Sequence, residues 1–140
     1  MIYGDRLTRP SHFIRYSIVI PAYNARRTLS DTLAALQDQS LPPEDYEVIV
    51  VDDGSTDETP SVARRAGAKC ITQPNRGPAA ARNSGVRAAR GEFVLFTDAD
   101  CVPERDWIRQ MILPFRNQRT AGVKGAYRTR QTEPAARFAQ

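Results

Sequence analysis

Several features that would each point to a class are missing from this sequence. No apolar run approaches the roughly 20 residues of a membrane span; runs such as Val48–Val51 are strand-sized, so no transmembrane segment is expected. No basic-then-apolar leader opens the chain. The only cysteines, Cys70 and Cys101, are too few for a disulfide framework in 140 residues, and free thiols in a reducing compartment are expected. The single histidine, His12, has no companions at ligand or triad spacing. There is no dense basic block, no Cys/His finger spacing and no basic stretch interleaved with aromatics, which argues against nucleic acid as a partner. The dinucleotide fingerprint G-x-G-x-x-G and the P-loop G-x-x-x-x-G-K-[ST] are both absent.

Lysine is scarce too. Of 20 basic residues only Lys69 and Lys124 are lysine, and the net charge is +4. Arginine suits phosphate geometry, although most of these arginines, taken singly, read as solvated surface.

The length fits one domain with a real core. Apolar strand-like runs alternate with helical patterns. Tyr16–Ile20 reads as a strand stopped by Pro21, with Asn24 as N-cap of a helix over 25–39 that places Leu29, Leu33 and Leu36 on one face. Tyr46–Val51 is a strand suited to burial on both faces. Ser55 and Glu58 match a capping box for a helix over 57–66 that Gly67 stops. A strand over 68–72, a helix over 78–90 and a strand over 93–96 follow, with Ser84-Gly85 either weakening that helix or allowing close packing. A helix opened by Pro103 and ended near Pro114 comes next, then a last strand over 121–127. Such alternation argues an α/β fold, a mostly parallel sheet with helices on both faces.

In open parallel sheets ligands sit at the carboxyl ends of the strands. Three loops fall there: Pro21–Asn24, Asp52–Gly54 and Asp98–Asp100. A D-x-D pair alone serves equally to make a turn and cap a helix. Its hard oxygens also suit Mg²⁺ or Mn²⁺. With no glycine-rich phosphate cradle, a metal at Asp100 together with Arg82 or Arg76 would neutralise a diphosphate.

Four stretches carry a resemblance: Ser17–Asn24 (SIVIPAYN), Val50–Asp57 (VVDDGSTD), Asn75–Gly85 (NRGPAAARNSG) and Asp98-Ala99-Asp100. In this order and spacing they resemble the successive motifs of family 2 glycosyltransferases, over about residues 16–130. The resemblance implies a Rossmann-like GT-A nucleotide-binding fold, a nucleoside-diphosphate sugar (UDP-sugar by family default) as donor, and a divalent cofactor, Mn²⁺ or Mg²⁺. It implies that Pro21, Ala22 and Tyr23 pack around the base and that Asp53 accepts from the uracil N–H. Gly77 and Arg82 would then lie over the nucleotide and diphosphate, Asp98 and Ala99 near the ribose and diphosphate, and Asp100, with Asp98, at the metal. The expected chemistry is inverting transfer to an acceptor hydroxyl.

The same likeness divides the chain into a lead-in over 1–15, a donor domain over 16–128 and the start of an acceptor-side segment over 129–140. Family members carry their general base downstream. Glu133 is the only carboxylate residue after Asp106 and is not assigned that role, so the catalytic base and the acceptor are unknown. The acceptor half is expected to be missing, leaving a chain that binds donor without efficient transfer, and exposed apolar surface that a homodimer can cover. The expected location is cytoplasmic, whether free or at the cytoplasmic membrane face. A non-catalytic nucleotide-binding module is the alternative. A phospho-acceptor signalling domain would want its acidic pair after the first strand, where Pro21-Ala22-Tyr23-Asn24 stands. A sugar nucleotidyltransferase would want a Gly-rich basic loop there.

Overall fold

A computed structural model of the chain describes residues 13–125. His12, Glu133, the lead-in up to residue 12 and the segment from 126 onward lie outside the described residues. Contacts divide the chain into two compact units, residues 1–108 and 109–140. The expected boundary at 128 falls outside the described part.

The first unit is built on four parallel strands: β1 (Tyr16–Ala22), β2 (Tyr46–Asp52), β3 (Lys69–Thr72) and β4 (Phe93–Phe96). Their order is β3-β2-β1-β4, with Val19 paired to Ile49 on one side and Phe96 on the other. Strand side chains alternate between faces. Val19, Ile49 and Val51 form one buried cluster with Ala81 of α3 (Pro78–Ala88). Ile18, Ile20 and Val50, on the opposite face, are equally buried. Two further helices, α1 (Leu29–Gln37) and α2 (Thr59–Arg65), pack on one another, and α2 packs on β2 and β3. Gly85 permits close packing of α3, because a Cβ there would lie 2.2 Å from Val19 Cγ1.

Several boundaries differ from the sequence expectation, each for a physical reason. β1 runs through Pro21, pairing it with Val51. Val19 O faces β4, accepting from the Thr97 amide. Pro21, two residues on, therefore turns its missing N–H past the end of β4, where no ladder bond is lost.

The first helix starts at Leu29, and Asn24 is not its N-cap. Asn24 adopts φ +48°. The amides of Ala25 and Arg26 are taken by Thr59 Oγ1 at 2.9 Å and Asp57 Oδ2 at 3.3 Å. The Ser55–Glu58 capping box does not form either. Ser55 Oγ accepts from the Asn24 amide at 2.9 Å, and α2 starts at Thr59, whose amide donates to Asp57 Oδ1 at 2.9 Å.

Pro103 does not open a helix. The next helix, α4 (Trp107–Ile112), begins four residues later. The buried Gln39 accounts for the delay: its Nε2 donates to Glu104 O at 2.8 Å and its Oε1 accepts from the Ile108 amide at 3.1 Å. Pro114 ends α4 as expected, in a short 3-10 turn over Leu113–Arg116. Residues 121–125 of the expected last strand form no strand; Gly122 and Gly125 weaken that assignment, and residues 126–127 lie outside the described part. No helix among the described residues is long and apolar enough to cross a membrane.

At the amino end of the sheet, a polar network closes the β1–β2 pair. Ser17 Oγ donates to Glu47 Oε1 at 2.7 Å and accepts from the Gly91 amide at 2.9 Å. Glu47 also accepts from the Arg90 amide at 2.8 Å and from Arg90 Nη2 at 3.1 Å. Burial pushes the Glu47 carboxyl up, but the Arg90 amide, Ser17 and the Arg90 guanidinium outweigh it and hold it below the usual range. Glu47→Gln is expected to destabilise the fold by about 2 kcal/mol, the scale of a charge-assisted hydrogen bond. Because the folded carboxyl releases its proton more readily than the unfolded one, its stabilisation is complete above roughly pH 4.3. It fades as pH falls through the lower folded value. Urea midpoints across that window should converge for the two proteins as pH drops; a gap that does not change with pH would refute the assignment.

Candidate active site

The carboxyl edge of the sheet is assembled from loops that hold one another. Asp52, almost fully buried at the end of β2, accepts from the Ser55 amide at 3.1 Å and so shapes the Asp52–Ser55 turn. Asn24 Oδ1 accepts from the Thr56 amide at 2.8 Å and from Thr56 Oγ1 at 3.3 Å. With the Asn24 amide on Ser55, this stitches the β1 loop to the β2 loop. Thr59 Oγ1 also donates to Asp57 Oδ1.

Asp53 is the centre of this edge. It is 4% exposed. Gln73 Nε2 and the Arg76 amide donate to its Oδ1, each at 2.9 Å, and the Gly77 amide donates to its Oδ2 at 2.9 Å. Its own amide donates to Ala22 O at 2.8 Å. Burial disfavours its charge, but the bonds from Gln73, Arg76 and Gly77, with the Arg76 charge, prevail and hold the carboxyl below the usual range.

An open cleft of about 310 Å³ lies beside Asp53. It brings together Pro21, Ala22, Tyr23, Asp53, Gly77, Arg82 and Asp98, seven residues singled out from the sequence. Tyr23, in the cleft wall, is 53% exposed. Arg82 Nη2 donates to Asp98 Oδ1 at 3.3 Å, with both side chains partly solvated. Ala99 and Asp100 are not part of the lining. Ala99 is buried and its carbonyl accepts from Thr32 Oγ1 of α1 at 3.1 Å, which ties the D-x-D turn to the helix layer. Asp100 is exposed.

Asp98, Asp100 and Cys101 each bring a ligand-capable atom to within 4.8 Å of the others. Cys101 Sγ donates to Asp100 Oδ1 at 3.8 Å. Burial, with the neighbouring Asp100 and Asp98 charges, raises its thiol pKa; the two carboxylates are the hard oxygen donors of the group. This oxygen set fits a hard divalent cation such as Mg²⁺ or Mn²⁺. Cys70 and Cys101 are both free thiols.

Sequence reasoning passed over Gln73 as well as Asn75 and Pro78 of the cleft wall. The last two lie inside the recognised Asn75–Gly85 stretch, so the motif itself was the available signal. Gln73 lies outside it and carried none.

Against this geometry the comparisons are direct. The sequence pattern of the family described as Glycosyl transferase family 2 matches residues 17–139. The poly(ribitol-phosphate) beta-glucosyltransferase of Bacillus spizizenii is 39% identical over 94 residues, covering 62% of this chain and 15% of the relative. The structure of S. aureus TarS 1-349 in complex with UDP superposes with a TM-score of 0.64 at 32% identity, over 69% of this chain and 30% of that one. The mannosyltransferase PcManGT of Pyrobaculum calidifontis, in complex with GDP-Man and Mn²⁺, gives a TM-score of 0.58 at 32% identity, over 69% and 32%. The fold is that of the GT-A transferases, and the chain belongs to glycosyl transferase family 2. It spans well under half the length of each of these three relatives.

Gly54 makes the Asp53 cradle possible. Its φ is +77°, and a Cβ would lie 2.8 Å from Asn75 N. Gly67 supplies a control, with φ +79° and nothing within 4 Å of the added carbon. Gly67→Ala is expected to cost about 1 kcal/mol, the left-handed backbone penalty alone. Gly54→Ala should cost about 2–4 kcal/mol, because strain and a backbone clash add. Equal losses in chemical denaturation would show that the approach of Asn75 is unimportant.

Proposed function

We propose that residues 16–128 bind a nucleoside-diphosphate sugar donor, a UDP-sugar on family likeness, for a glycosyltransferase that moves the sugar to an acceptor hydroxyl with inversion. The observation that carries this reading is the meeting, in one cleft at the carboxyl ends of parallel strands, of the buried anionic Asp53 and the Arg82–Asp98 pair. Further support comes from relatives whose structures hold UDP, UDP-GlcNAc, or GDP-Man with Mn²⁺.

In this reading Tyr23, Pro21 and Ala22 pack on the base while Asp53 accepts its ring N–H. Gly77 and Arg82 meet the diphosphate. Ala99 sets the backbone position of the D-x-D turn near the ribose. Asp98 and Asp100 are the residues that would hold Mn²⁺ or Mg²⁺. A divalent ion there supplies positive charge that stabilises the departing nucleoside diphosphate. Arg82 has a part of its own: its pairing with Asp98 is solvent-exposed and therefore weak, so the guanidinium can turn to a phosphate as the donor enters. Donor binding is proposed for this chain, and the transfer step for the whole protein. A cytoplasmic location, at which nucleotide sugars are available, belongs to the same proposal.

Thermal unfolding with UDP, with and without Mn²⁺, tests the reading. Ligand at a hundred times its Kd adds about 2.7 kcal/mol, a rise of several degrees for a domain of this size. The rise should require Mn²⁺ and be largely lost in Asp100→Asn. A metal-independent rise of equal size in both proteins would remove Asp100 from the metal site, and no rise with UDP or any other nucleoside diphosphate would overturn the donor-site reading.

A further inference from the structure

The carboxylate that faces the cleft is held from behind by a chain of hydrogen bonds. Arg87 Nη2 donates to Ser84 Oγ at 3.1 Å. Ser84 Oγ donates to Gln73 Oε1 at 2.6 Å. Gln73 Nε2 donates to Asp53 Oδ1 at 2.9 Å. A guanidinium has donors only and a carboxylate has acceptors only, so both ends of this chain have a fixed sense. Ser84 accepts from Arg87 and turns its single proton to Gln73. The carboxamide must then present oxygen to Ser84 and nitrogen to Asp53; the opposite orientation would set Oε1 against Oδ1 with no proton between them.

The consequence falls on the cleft side. An ionised carboxylate has about four acceptor positions. Gln73 and the Arg76 amide occupy the two of Oδ1, and the Gly77 amide occupies one of Oδ2. One position is left, and Asp53 lines the cleft.

We infer that Gln73 and Ser84 are positioning residues for base discrimination, holding Asp53 so that its one remaining acceptor meets a ring N–H, as uracil offers, and opposes a ring-nitrogen acceptor, as cytosine offers. The inference rests on the donor-site reading above. The same bonds keep the Asp53 carboxyl ionised, which denies it the proton it would need to donate to cytosine. Neither residue touches the nucleotide; both act through Asp53.

UDP and CDP have nearly the same size and the same diphosphate, so the ratio of their Kd values isolates the ring edge. Calorimetric titration of the full chain at pH 7.5 with Mn²⁺ is expected to favour UDP by on the order of a hundredfold. Gln73→Leu should cut that preference about tenfold, the scale of one charge-assisted hydrogen bond. Ser84→Ala, a smaller change that keeps the fold should Gln73→Leu lose it, should cut it about threefold, and Ser84→Thr, which keeps the hydroxyl, should restore it. A purely structural role would weaken UDP and CDP alike and leave the ratio unchanged, and that result overturns the inference. Asp53→Asn separates the two levels. If it abolishes the preference while the Gln73 and Ser84 variants keep it, the chain of bonds is irrelevant and the donor site stands. If Asp53→Asn itself keeps the preference, the base does not read Asp53 and the inference falls, while the donor site stands as long as UDP still binds; loss of binding by every nucleoside diphosphate in the wild type is what overturns the donor-site reading.

Discussion

The carboxyl edge of this sheet depends on the Asp53 carboxylate and on the way its acceptors are filled. A buried charge is costly unless it is fully hydrogen-bonded. The donors that meet the cost come from Gln73 after β3 and from the Arg76 and Gly77 amides at the start of α3. The Asp53 amide in turn fastens to Ala22 at the end of β1. One residue, through its carboxylate and its amide, thus ties the end of β2 to the end of β1 and to the Gln73–Gly77 stretch. The left-handed Gly54 beside it lets Asn75 approach close enough for those amides to arrive. Around this centre the Asn24–Thr56 and Asn24–Ser55 bonds fix the neighbouring loops.

The cleft has two unlike ends. The Asp53 end is preorganised: buried and held by three hydrogen bonds at 2.9 Å, with one acceptor position left. The Arg82–Asp98 end is partly solvated and joined by a single contact at 3.3 Å. Rigid recognition at one end and replaceable pairing at the other suit a ligand whose one part is a planar base and whose other part is a flexible, charged chain. Preorganisation lowers the cost of ordering the site on binding, while exposed ion pairs give little to stability and lose little when exchanged.

The central strands β1 and β2 were legible because each is a largely apolar run buried on both faces, which left no alternation to misread; the short, partly exposed β3 and β4 were legible from the glycines that precede them. The order of the four motifs located the cleft residues for the same reason: they sit where strands end. The start of α3 at Pro78 was legible, but the starts of the first, second and fourth helices were not. Asn24 and Ser55 have the composition of caps, but their partners are each other, some 30 residues apart, and no local pattern encodes that. Pro103 has the composition of a first helical turn, yet Gln39, more than 60 residues earlier, takes Glu104 O and the Ile108 amide on either side of a turn, and the helix starts only at Trp107. Gln73 carried no signal, and Ser84 only that of lying inside the Asn75–Gly85 stretch, because a polar residue that works through another side chain looks like any loop or helix-surface residue.

The place of β1 in the sheet has a consequence for synthesis. It is a central strand, but its neighbours are β2 and β4, and Tyr16 pairs with Phe93. At about 5–20 residues per second, a ribosome needs roughly 4–15 s to travel between those two partners. During that interval a strand of near-continuous Ile and Val has one edge open, which is the state most exposed to pairing with another chain. Ser17, buried within it, has its hydroxyl capped by the Gly91 amide only when the last of these segments has emerged. The nascent chain therefore passes this stage late, just before β4 pairs with β1.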